Sequence, residues 1–190
     1  MFGIKKFLLV FTGLIFLSSG AQSSQIKSDF HLPKNEAEKA LDRIFLANNS
    51  KNSKLFNFLM DPVYKRKSDI SIKEAEYFSK LLTENFINTV RQTESLMFKK
   101  NCAGKDEGYT CGMEVNPVIC AQDYYEEGNL FKTIEQKNGA VVIKYFNSHF
   151  NEGEPKEFFK MKYEKDSWML DETSCVTYYA NLHKGQKKIK

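Results

Sequence analysis

The chain has 190 residues, 42% of them apolar and 27% charged, which suits one globular domain with a real core and leaves little room for two. Formal net charge is +4, and Lys5 and Lys6 supply two of those charges, leaving +2 for the remainder. A balance so near neutral, with no basic stripe, argues against a nucleic-acid partner.

Residues 1–21 have the three parts of a secretory signal. Lys5 and Lys6 give the positive start, Phe7 to Leu17 the apolar stretch, and Ser19-Gly20-Ala21 the small residues that favour cleavage before Gln22. The apolar stretch is shorter than the roughly 20 residues that span a bilayer. No other run is long enough, so no stable membrane anchor is expected after cleavage. Residues 22–34 are polar and read as a flexible lead-in, followed by a single domain over 35–178 and a basic tail over 179–190.

Ala37, Leu41, Ile44 and Phe45 recur at helical spacing and predict a helix from Asn35 to Ala47. A short helix over Lys54–Met60 is expected to stop at Asp61-Pro62. Lys65-Arg66-Lys67 reads as a solvated loop. Ser71-Ile72-Lys73-Glu74 is a capping-box pattern. Phe78, Leu81, Leu82, Phe86, Ile87, Val90 and Met97 then make one apolar stripe, predicting a single long helix to Lys99.

Beyond Asn101 the pattern turns extended. Gly104, Gly108 and Gly112 mark a loop, and Val118–Tyr125 reads as a strand. Asn138-Gly139 separates two β-rich runs, Leu130–Gln136 and Ala140–Asn147, and suits a two-residue type I′ hairpin. That turn pairs Ile134 with Ile143 and Gln136 with Val141, and puts Val141, Ile143 and Tyr145 on one face. Glu157–Glu164 alternates as a third β-run, and a turn at Lys165-Asp166-Ser167 leads into a strand over Trp168–Cys175. Helices first and a four-strand antiparallel meander after them predict an α+β fold with the helices on one sheet face.

The four cysteines, Cys102, Cys111, Cys120 and Cys175, all follow the signal, and an even count in an exported chain reads as two disulfides with three connectivities. The favoured pairing is Cys102–Cys111, closing the Gly-rich loop, with Cys120–Cys175 tying two strands. No Cys-x-x-Cys pair occurs and no His sits nearby, so the spacings suggest no metal.

Asn116-Pro117-Val118-Ile119-Cys120-Ala121-Gln122-Asp123-Tyr124 resembles the strand after the helical half in a family of exported bacterial proteins, catalogued as a domain of unknown function (number 3828). Lys165 to Glu172 and Ala37 to Leu41 are similar to that family as well, so the resemblance covers roughly residues 35–176. It implies a curved sheet wrapped on a long helix, a cone similar to nuclear transport factor 2 and the cystatins, and it implies no activity. Asp123-Tyr124 stands where the family strand has Asp-Trp.

Catalytic patterns are missing. His31, His149 and His183 read as surface residues without a nucleophile beside them. No phosphate-cradling Gly motif, nucleophile elbow or His-Glu-x-x-His occurs, and no cofactor is implied. The acid best placed for chemistry is Asp123, in a candidate pocket with Gln122, Tyr124, Tyr145 and Trp168, where desolvation would raise its pKa. The expected function is an exported, non-enzymatic binding protein with a partner protein in the cell envelope, in one version an inhibitor or immunity protein against an exported hydrolase. The alternative is a small enzyme or ligand carrier using Asp123 in the aromatic cone.

Overall fold

A computed structural model describes residues 29–48, 54–102, 112–113, 115–122, 128–147 and 155–185. The signal, Cys111, Asp123, Tyr124 and His149 lie outside the described residues. Four helices come first: α1 (Glu36–Asn48), α2 (Lys54–Tyr64), α3 (Ile72–Phe78) and α4 (Glu84–Cys102). Strands β1 (Leu130–Lys137), β2 (Ala140–Phe146), β3 (Phe158–Glu164) and β4 (Ser167–Thr173) form an antiparallel meander in the order β1-β2-β3-β4, and α5 (Ser174–Gly185) closes the chain. This is the expected α+β arrangement. Among the described residues no helix is long and apolar enough to cross a membrane.

The core lies between α1 and the sheet. Ala37, Ala40, Leu41, Ile44 and Phe45 form the buried stripe of α1. Phe45 meets Tyr145 and Phe159 edge to face, each at 5.0 Å between ring centres. Phe131, Val141, Ile143, Met161 and Leu170 complete the inner face of the sheet. The helix is anchored by its first turn: Asn35 Oδ1 accepts from Glu38 N at 2.9 Å, and Glu38 Oε2 accepts from Lys34 N at 2.9 Å. Such reciprocal bonds satisfy amide groups that a helix start leaves open.

Several features differ from the sequence reading, each for a local reason. The single long helix is two helices. Leu81, Leu82 and Thr83 leave helical geometry to run beside β4, where Thr83 N donates to Leu170 O and Leu170 N to Leu81 O, both at 2.9 Å. Thr83 Oγ1 then accepts from Phe86 N at 3.1 Å and restarts the helix as α4. The capping box at Ser71 and Glu74 is present as expected.

In the hairpin, Asn138 and Gly139 have φ of 52° and 72°, the pair of positive values that a type I′ turn needs. Gln136 faces Val141, but a bulge between Thr133 and Glu135 sets Thr133 opposite Ile143 and leaves Ile134 exposed. The expected strand at Val118 is a turn. Asn116 Oδ1 accepts from Val118 N at 2.9 Å, Cys120 N donates to Asn116 O at 2.8 Å, and Cys120 takes φ of 55°. Asn before Pro favours this closure through the Asn side chain.

The last strand stops at Thr173, because Ser174 Oγ accepts from Phe158 N at 3.1 Å and α5 begins there. Val176 is buried, with Tyr179 and Ala180 half-buried, at helical spacing, so α5 runs well into the expected tail. Part of the expected lead-in also belongs to the domain. His31 N donates to Phe131 O at 3.0 Å and Phe131 N to His31 O at 2.7 Å, while Phe30 packs on Phe146. Cys120–Cys175 is a disulfide, joining the turn to the start of α5 rather than two strands. Cys102 is disulfide-bonded too.

Candidate functional site

A cavity lies between α2 and α4, and it begins with a proline. Pro62 sits inside the last turn of α2, where the sequence reading had ended the helix. Its ring nitrogen has no hydrogen to give to the carbonyl four residues back, which belongs to Phe58. Arg91 of α4 replaces that donor. Its Nη2 donates to Phe58 O at 2.7 Å and its Nε to Leu59 O at 3.2 Å, with the guanidinium over the Phe58 ring. Burial pulls the Arg91 pKa below its ordinary value.

A second cross-link lies one to two turns further on. Tyr64 packs edge to face on Phe98 at 5.4 Å, and its hydroxyl donates to Glu94 Oε1. Glu94 Oε2 accepts from Met113 N at 2.8 Å. The Glu94 carboxylate is buried, and among the described residues no cation lies within ion-pair distance of it. Burial first, and then the neighbouring Glu94 carboxylate, push the Tyr64 hydroxyl well above its ordinary pKa. Tyr64 is therefore a hydrogen-bond donor at any ordinary pH.

Between these two cross-links runs a groove of about 830 Å³. Pro62, Val63, Leu96 and Phe98 supply its apolar strip, and Leu96 and Phe98 are 50% and 40% exposed. Lys65 and Lys99 follow Tyr64 and Phe98 directly and so stand at the same end of the groove. No carboxylate occurs among the described lining residues. Arg66 stacks on the Tyr64 ring at 4.7 Å and adds a third cation to that end. Chemically, the groove can hold an apolar surface next to an anion.

The pocket expected from the sequence does not gather there. Tyr145 is in the core, donating to Asn129 Oδ1 at 2.8 Å. Burial, together with the nearby Asp42 charge, pushes its hydroxyl up to about 12. Trp168 lies at the other end of the sheet, beside the turns, edge to face with Tyr163 at 5.4 Å. Tyr145 is six residues from Gly139, whose carbonyl oxygen Tyr163 binds, so roughly 20 Å of strand separates the two rings. Gln122 is exposed. Asp123 and Tyr124 lie outside the described residues. The acid that the structure does place beside Tyr145 is Asp42, whose carboxyl burial raises above its ordinary value.

A smaller cavity of about 170 Å³ lies where α4, β4 and α5 meet. Asp171 faces it, accepting from Thr83 at 2.9 Å and Asn85 at 3.4 Å, with Lys160 at 3.5 Å. These contacts latch the helix start to the sheet edge. Among the described residues no group of His, Cys, Asp and Glu side chains is arranged to hold a metal ion. Two signals for the groove were present in the sequence: the Lys65-Arg66-Lys67 run, and Leu96 and Phe98 standing off the apolar stripe of α4.

No family model matches the chain, and neither do any curated proteins or solved structures.

Proposed function

We propose that this chain is an exported, non-enzymatic binding protein, and that the groove between α2 and α4 is where it binds. The observation that carries the reading is the groove itself: half-exposed Leu96 and Phe98 beside two lysines, with no acid among the described lining residues. Apolar side chains gathered on a concave surface mark sites of recognition more often than scattered ones do. Export draws support from the signal-like pattern of residues 1–21 and from the Cys120–Cys175 bond, since stable disulfides belong to oxidising compartments. The compartment is then the periplasm or the exterior. The resemblance to the uncharacterised exported family belongs to this proposal, and so does its cone.

A partner protein in the cell envelope is the occupant we favour. An exported hydrolase, with this chain as its inhibitor or immunity protein, is the specific form. The test is site-directed photo-crosslinking in cells. A photoreactive amino acid at Leu96 is expected to capture one envelope species that the same group at Ile72, exposed but on α3, does not. Equal capture from both positions, or none from Leu96, refutes the groove as the site.

A further inference from the structure

Granting that the groove is the binding site, on which this step rests, its charge and shape define the occupant. We infer that it receives an acidic amphipathic helix of a partner protein, about two turns long, with apolar residues on Leu96 and Phe98 and carboxylates on Lys65 and Lys99.

Charge is the first argument. Among the described residues neither Lys65 nor Lys99 forms an ion pair, so both charges are open to an occupant. Arg66 reinforces the same end from the Tyr64 ring. Arg91, by contrast, is committed to the carbonyls of Phe58 and Leu59 and builds the wall. An occupant therefore meets a cationic end and an apolar strip.

Length is the second. From Arg91 to Lys99 is eight residues of helix, about 12 Å, or a little over two turns. The groove is the furrow between two helices, the surface into which a third helix packs its ridges.

Exposure is the third. With Leu96 half in water, an acyl chain lying there would stay wet along one side. A helix brings its own polar outer face and leaves no apolar surface uncovered.

The test uses the disulfide-intact chain and labelled peptides of about 20 residues, past the length at which isolated helices are marginal. One is a Leu/Glu amphipathic peptide and the other is its Leu/Lys counterpart. Fluorescence anisotropy should give the Leu/Glu peptide about tenfold the affinity of the Leu/Lys peptide, and that margin should shrink with added salt. In the Lys65→Glu, Lys99→Glu double variant the preference should invert. Lys99→Glu alone, at an exposed helix position, should narrow it, so a misfolded double variant does not shelter the idea.

Equal affinities in the native chain, or a preference that survives the charge reversal, overturns the inference. Laurate binding more tightly than the Leu/Glu peptide overturns it in favour of an acyl ligand. Crosslinking from Leu96 separates the two levels. Capture there without peptide preference removes the acidic helix and keeps the groove; loss of both removes both.

Discussion

At the level of single residues, Glu94 is a point of stability, a buried carboxylate that among the described residues is held by Tyr64 and the Met113 amide. Gly112 lets the chain pass beside it: a Cβ there would overlap Glu94 Oε1, and the carboxylate is pinned on both oxygens. Gly112→Ala should therefore cost about 2 kcal/mol, in the range of overpacked cores. Gly139→Ala meets nothing within 4 Å and should lose about 1 kcal/mol through its φ of 72° alone. Urea unfolding of the two variants distinguishes a steric cause from a conformational one. Glu38 gives a pH signature. Burial pushes its pKa up, but bonds from Lys34 N, Thr133 Oγ1 and Asn35 N outweigh burial and hold it below 4.5. The folded state thus keeps the charge longer than the unfolded chain does. That stabilisation is complete above about pH 4.5 and is lost as pH falls through the lower folded value. Glu38→Gln should flatten the acid limb of stability measured from pH 5 to 3. An unchanged limb would show that other carboxylates govern it. None of this was legible in the sequence, where Glu38 and Glu94 look like ordinary exposed helix acids. The candidate site was legible only as a cationic run and two stray apolar residues, because a groove between helices depends on which helices pair.

Among the elements, local chemistry was readable wherever the chain itself closes the structure. Asn138-Gly139 and the Ser71–Glu74 box both form as their residues dictate. The break between α3 and α4 was hidden, because Leu81 and Leu82 fit the helical stripe and leave it only to pair with Leu170 of β4. Helix α5 was hidden behind the lysine-rich end. Pro62 misled in the opposite direction, since its break is repaired from another element. That repair can be tested by a double-mutant cycle. Arg91→Ala should cost about 2 kcal/mol, leaving the Phe58 carbonyl without its donor. In a Pro62→Ala background the helix regains an amide that can bond Phe58 O, so losing Arg91 should cost about 1 kcal/mol less. Purely additive losses would show that Arg91 acts through its packing on Phe58 and not through the carbonyl.

For the whole molecule, the Cys120–Cys175 bond closes 55 residues that include every strand of the sheet. In the chain-entropy view such a closure removes about 4 kcal/mol of freedom from the unfolded state. Typical domains have only about 5–15 kcal/mol of net stability, so this bond supplies a large share of what holds the sheet. The bond also joins two segments that lie apart in the chain. On one side is the Asn116–Ala121 turn, which reaches α1 through Asn116 and Asn48 and β4 through Pro117 O and Thr173. On the other is α5, which begins where β4 ends. Cutting it frees the turn and the last helix together. The Cys120→Ser, Cys175→Ser variant should therefore unfold at markedly lower urea than the native chain, losing about 4 kcal/mol. Its far-ultraviolet helix signal should fall before the β-signal, as α5 detaches first. Loss of both signals in one transition would place α5 inside the cooperative core. An unfolding midpoint that does not move would deny the bond its structural role, and with it one of the two supports for an oxidising compartment.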